Sequence, residues 1–293
     1  MALSGCLDRR YIRTGARRPW LGFDDEGDKT HLKPWVLVIA FLAGGAVVPF
    51  LGPDSSSARS VSAAVADFVN RPGEDGLGGG AGIGRSVEGR TLKAEDLGHG
   101  PLRVYVVGGV HGEPPALRPL GELRSLMKGS SIASQMTVRL LEDLNPDGTA
   151  RGLFCNANRV DIDRNFPSQD FKPSLRHGLS PLSEPETEAF WRDVRSFRPD
   201  LVVVLQSAMA GPFLDGDGPS DAYGMQFVSG ASSVDDRWTL LGDEGYAFSG
   251  SMGSALGNDL GIPVLNLRFR RDQDAKSVAE ALKAGLSTLA ARS

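Results

Sequence analysis

LNPDGTARGLFCNANRVDIDRNFP, residues 144–167, opens on Asn145-Pro146-Asp147-Gly148 and closes on Asp163-Arg164-Asn165-Phe166-Pro167. The first four residues have the chemistry of a tight turn. An apolar segment, Gln135–Leu141, precedes the block and reads as a strand. Ser183–Phe197 follows it and reads as a helix, with Ser183 and Glu186 at the spacing of a capping box. Further out, Leu102–Val107 (LRVYVV) and Leu201–Leu205 (LVVVL) read as buried strands. Gly108-Gly109 allows the first of these to end in a sharp bend. Ala116–Lys128 reads as a helix, Met225–Val228 and Val264–Phe269 as further strands, and Asp274–Ala291 as a terminal helix. Apolar strands alternating with helices predict an α/β fold: a single mixed, twisted β-sheet with helices on both faces.

The composition fits a folded domain. Of 293 residues, 41% are hydrophobic and 23% charged, an ordinary globular balance. Glycine is in excess at 37, which predicts many tight turns around the core. A net charge of −4 argues against a nucleic-acid partner. Two cysteines, Cys6 and Cys155, are too few for a disulfide framework. Any zinc site must draw on four histidines, His31, His99, His111 and His177.

Ahead of the domain, Pro34–Pro53 (PWVLVIAFLAGGAVVPFLGP) runs for 20 residues without a charge. At about 1.5 Å per residue that length crosses a bilayer core of about 30 Å. Arg17, Arg18, Lys29 and Lys33 lie upstream, against Arg59 and Arg71 downstream. The positive-inside rule then keeps the N-terminus cytoplasmic and exports the rest. This predicts residues 1–33 as a cytoplasmic tail and 34–53 as a single-pass transmembrane signal anchor. Residues 54–81 read as a linker with a short helix at Val61–Asn70, and 82–293 as the folded domain. Localisation is then the cytoplasmic membrane, with the domain on the exported side. Secretion after signal cleavage is the alternative, although Ala64-Val65-Ala66 lies far past the apolar run. Cys6 and Cys155 would face opposite sides, so no intrachain disulfide is expected. The glycine-rich stretch Gly73–Gly84 contains a G-x-G-x-x-A, but without a preceding strand it reads as a loop rather than a dinucleotide site.

Several segments together resemble the zinc carboxypeptidase family, and within it the bacterial murein peptide amidase branch. They are Ile83–Leu92, Val106–Pro115 (VVGGVHGEPP), the block at 144–167, Ser180–Glu188 (SPLSEPETE), Arg198–Ser207, Gly216–Pro219, Gly250–Gly261 and Ile262–Phe269 (IPVLNLRF). The resemblance runs over about residues 82–290. It implies a zinc carboxypeptidase-like fold and a zinc ion held by His-x-x-Glu and a second His. In the family that metal activates water, with a Glu as general base. An Arg stabilises the oxyanion, and an Asn-Arg pair grips the substrate carboxylate.

Carried over residue by residue, most of these positions are changed. His111 matches the first ligand. The ligand Glu position holds Pro114, which has no donor atom, and Glu113 stands one residue early. The second His position holds Gln206, a poor zinc ligand. Arg268 replaces the general base and cannot accept a proton. Phe154 replaces the oxyanion Arg, with Arg151 three residues away. The Asn-Arg pair becomes Asp163-Arg164. His99 and His177 read as loop residues. His31 lies beyond the apolar run.

Two functional expectations follow. The first is a membrane-anchored pseudopeptidase without metal that binds a peptide or cell-wall fragment, with Asp163, Arg164 and Arg268 as binding residues. Arg164 and Arg268 would then form a cationic pocket for a carboxylate or phosphate. Internal pairing of Arg268 with Glu113 or Asp163 is the other arrangement. The second expectation is an active metallocarboxypeptidase or murein peptide amidase, with zinc on His111, Glu113 and a further ligand.

Overall fold

The two most apolar segments lie side by side at the centre of an eight-stranded sheet. In the computed structural model, residues 82–241 and 248–291 are described. The strands are β1 (Gly82–Arg85), β2 (Thr91–Gly98), β3 (Leu102–Val107), β4 (Met136–Leu141), β5 (Leu201–Ala208), β6 (Phe213–Asp217), β7 (Thr239–Leu240) and β8 (Val264–Arg270). The helices are α1 (Pro114–Met127), α2 (Pro146–Arg151), α3 (Pro185–Phe197), α4 (Asp221–Ala231) and α5 (Ala275–Ala290). The sheet order is β1-β2-β4-β3-β5-β8-β6-β7. Strands β4, β3, β5 and β8 are parallel, while β2 and β6 flank them antiparallel, so the sheet is mixed.

β3 from Val104 and β5 as far as Leu205 are buried on both faces, which is why they read as unbroken apolar runs. Along β3, Val104 and Val106 enter a core with Leu120 and Leu123 of α1 and Leu282 and Leu286 of α5. Tyr105, between them, points to the other face. There its ring meets Phe190 and Phe197 of α3 edge-on, at 5.1 and 5.8 Å. The expected layering of helices on both faces is therefore present.

Three local expectations are corrected. Met225–Val228 is not a strand but part of α4. Gly224, Phe227, Gly230 and Ala231 are its buried residues, a spacing of three and four that a helix produces and a strand does not. The capping box at Ser183 does not form: α3 starts at Pro185, whose fixed φ and missing N–H suit a first helical position. Ser183 donates instead to Glu184, and Glu186 is fully buried, accepting from the Val87 N–H and Asn156 Nδ2, both at 3.0 Å. Cys155 is buried and disulfide-bonded, against the expectation of no intrachain bond, and its partner lies outside the described residues.

The apolar run at 34–53, the helix at 61–70 and most of the glycine-rich loop also lie outside them. No helix among the described residues is long and apolar enough to cross a membrane.

After β3 the chain passes to β4 on one side and then to β5 on the other. Strand order therefore reverses between β3 and β5, and the crevice at their carboxyl ends is where open α/β sheets place a binding site.

Candidate functional site

The loop leaving β3 carries His111 into that crevice. Its path depends on glycine. Gly109 and Gly112 have φ of +67° and +57°. A Cβ on Gly112 would stand 2.3 Å from the Leu153 carbonyl oxygen. Glu113 follows as the N-cap of α1, but it does not cap that helix. Its Oε2 accepts the Ser207 N–H at 2.8 Å. The reason lies in the sheet: β3 ends at Val107, opposite Val204, while β5 continues to Ala208. Beyond Val204 the β3 side of β5 has lost its partner strand, and the buried Glu113 carboxylate fills the gap. Pro114, exposed at the first position of α1, suits a helix start.

The floor of the crevice is a polar ladder across β5, β8 and β6. Gln206 and Arg268 are register partners, and Arg268 Nε donates to Gln206 Oε1 at 3.2 Å. Arg268 Nη1 pairs with Asp215 of β6. Asn266 Nδ2 donates to Asp215 Oδ1 at 2.9 Å and to Asp217 Oδ2 at 3.0 Å. Burial draws the Arg268 pKa below the usual arginine value, while Asp163 and Glu113 act in the opposite sense. The guanidinium stays charged at any physiological pH. The sequence left two partners open for Arg268; its direct ion partner is Asp215 rather than Glu113 or Asp163.

The third wall is the turn Ile162–Arg164 at the end of the 144–167 block. It places two carboxylates against the His111 ring. Asp161 Oδ1 lies 3.7 Å from Nδ1, and Asp163 Oδ2 lies 3.8 Å from Nε2. Asp163 also accepts the Met252 N–H at 3.3 Å and pairs with Arg164 at 3.2 Å. The Arg164 guanidinium carbon sits 4.2 Å from the Phe248 ring centre. Phe154, half-buried, has its ring 6.1 Å from that of His111.

His111, Glu113, Phe154, Asp163, Arg164, Gln206 and Arg268 thus converge. Arg151 does not join them, since it pairs with Glu88. His177 hydrogen-bonds the Lys172 carbonyl oxygen at 3.0 Å, and His99 is exposed on the loop before β3. Sequence reasoning missed Asp161, Asp215, Asn266 and Phe248. The D-x-D spacing of Asp215 and Asp217 was the available signal, because alternate residues of a strand share a face.

A catalytic zinc needs three protein donors. Around His111, Pro114 has none, Gln206 Oε1 is engaged by Arg268, and Glu113 by a backbone N–H. Arg268 brings a fixed positive charge to the same place. No group of three His, Cys, Asp or Glu among the described residues is arranged to hold a metal. Of the positions that the resemblance assigns to metal ligands, only His111 carries an imidazole or carboxylate, and Asp161 and Asp163 lie beside it.

Comparison with known proteins supports the same scaffold. No family model matches the chain. A segment of 83 residues is 35% identical to murein peptide amidase A of Escherichia coli K12, covering 23% of this chain and 34% of that protein. The chain therefore spans between about a quarter and a third of the length of the curated relatives it matches. Murein-tripeptide amidase MpaA from Escherichia coli O157 superposes with a TM-score of 0.56 at 24% identity, over 75% of this chain and 96% of that one. Carboxypeptidase A from Helicoverpa armigera superposes with a TM-score of 0.58 at 19% identity, over 72% of this chain and 68% of that one. The described chain has the zinc carboxypeptidase-like α/β fold.

Proposed function

We propose that this carboxypeptidase-like domain has exchanged hydrolysis for binding, and that it holds a peptide or cell-wall fragment in the crevice around His111. One observation carries the reading. The residues at the metal and base positions, Gln206 and Arg268, are bonded to each other and to Asp215, forming a closed polar floor. A water molecule there meets an amide and a guanidinium where the family resemblance expects a metal-ligating imidazole and a carboxylate base. The similarity to a murein peptide amidase suggests the ligand class.

The alternative is an active metallocarboxypeptidase or murein peptide amidase with a rearranged zinc site. The two carboxylates beside His111 favour it. Elemental analysis of the purified full chain, with assay of amino-acid release from murein peptides, separates the two. The expected result is zinc well below one per chain, no release, and binding of murein peptides by calorimetry. Stoichiometric zinc that disappears in His111→Ala would overturn the proposal.

Anchoring through residues 34–53, with the domain exported, is proposed on the sequence alone. The uncharged run and its basic upstream flank support it. A span there separates Cys6 from Cys155, so it cannot coexist with a bond between them in one chain. Non-reducing electrophoresis of the full chain and of Cys6→Ser tests the point. A monomer whose mobility shifts on reduction only when Cys6 is present overturns the anchor.

A further inference from the structure

The crevice carries more negative than positive charge. Its carboxylates are Glu113, Asp161, Asp163, Asp215 and Asp217, and its guanidiniums are Arg164 and Arg268, with Arg176 reaching Asp161 from the surface. Both arginines are already committed. Arg164 holds Asp163 and stacks on Phe248, while Arg268 holds Asp215 and Gln206. Glu113 is engaged by the Ser207 N–H.

Asp161 is the exception. The residue is 6% exposed, and its Oδ1 is buried without a hydrogen bond. His111 Nδ1, 3.7 Å away, is beyond hydrogen-bonding distance. The other oxygen meets Arg176, whose side chain is 62% exposed, and such surface pairs contribute little. A buried carboxylate oxygen lacking a donor is unfavourable until something supplies one. Asp163 adds a second carboxylate on the other side of His111, at the position where the family resemblance expects a neutral amide to grip a carboxylate.

We propose that the crevice takes hold of its ligand by an ammonium group and not by a carboxylate, with Asp163 as the contact acceptor and Asp161 as the deeper one. This rests on the peptide-binding reading above and names the group recognised. An ammonium offers three donors and no acceptor, matching a pocket with spare acceptors. A carboxylate would approach Asp163 as a like charge. A peptide's N-terminus or a basic side chain can supply the ammonium.

Calorimetric titration of the full chain with three probes tests this. Acetyl-Ala-Lys-amide carries a side-chain ammonium, Ala-Ala-amide an N-terminal one, and acetyl-Ala-Ala only a carboxylate. One of the two amines should bind at least about tenfold tighter than the carboxylate, the scale of one charge-assisted hydrogen bond. Which amine binds identifies the source. Asp163→Asn keeps the shape and an acceptor for the Met252 N–H. It should cut amine binding about tenfold and relieve the exclusion of acetyl-Ala-Ala. Should that variant fail to fold, Asp161→Asn should show the same loss. Tighter binding of acetyl-Ala-Ala, or amine binding indifferent to these variants, overturns the ammonium proposal and leaves peptide binding standing. If none of the probes binds while murein peptides do, only the ammonium proposal falls. If murein peptides also fail, both fall.

Discussion

Glu113 separates a structural carboxylate from a metal ligand, and the separation is measurable. Its side chain reaches across from the start of α1 to a backbone N–H that β5 exposes once β3 has ended. Truncation in Glu113→Ala leaves the Ser207 N–H buried and unpaired, which costs about 1–3 kcal/mol. The lost bond had a charged acceptor, which places the effect in the upper part of that range, about 2–3 kcal/mol. Glu113→Gln keeps an acceptor oxygen of the same reach and loses only the charge, so it should cost about 1 kcal/mol or less. For a domain of this size, each kcal/mol moves the midpoint by about 2–4 °C, so the alanine variant should melt about 4–12 °C lower. Thermal unfolding followed by circular dichroism, with urea titration to obtain free energies, provides the numbers. Equal damage from both variants, or none from either, would refute the role as an acceptor. Stoichiometric zinc lost in both variants would make Glu113 a metal ligand instead.

Other perturbations should behave as follows. Gly112→Ala places a Cβ against the Leu153 carbonyl at a residue with φ of +57°, so it should lower stability by about 2 kcal/mol or more and weaken ligand binding by displacing His111. Asp215→Ala leaves Arg268 without its direct ion partner. The pair is only 29% and 24% exposed, so the cost in urea unfolding should be about 1–3 kcal/mol, between the surface and buried limits. Asp147 is fully buried, and burial alone would raise its pKa. The Glu88 N–H, the Ser86 hydroxyl and Arg90 outweigh that and hold it below the usual aspartate value. The stabilisation is complete above the unfolded-state pKa of about 3.9 and is lost as pH falls through the lower folded value. The penalty of Asp147→Asn should therefore be greatest near neutrality and shrink below about pH 4, as read by urea titrations across that range.

The central architecture was legible because β3 from Val104 and β5 as far as Leu205 are buried on both faces and so form unbroken apolar runs. The edges were not. β2 buries fully only Leu92 and Leu97 among eight residues, which leaves little pattern to read. β6 is interrupted by Gly216, and its side chains serve the polar floor more than the core. Met225–Val228 misled for a different reason: four residues are too few to distinguish a period of 2 from one of 3.6, and Tyr223 and Gln226 disguise the helical stripe. At the site, residue-by-residue transfer found the positions that meet in space. It could not find their bonds. The Glu113–Ser207 contact spans 94 residues and the Arg268–Asp215 contact 53. Neither follows from spacing along the chain, because each depends on where one strand stops and its neighbour continues.

The Arg268–Asp215 pair also bears on how this protein can change over time. Replacing Arg268 alone by a glutamate would set that new carboxylate beside Asp215, in a floor already negative. Removing the Asp215 carboxylate alone would strand a partly buried guanidinium. Either step is unfavourable without the other. A variant at either position is therefore expected to be tolerated only with a matching change at the other, so the floor of the crevice varies as a unit.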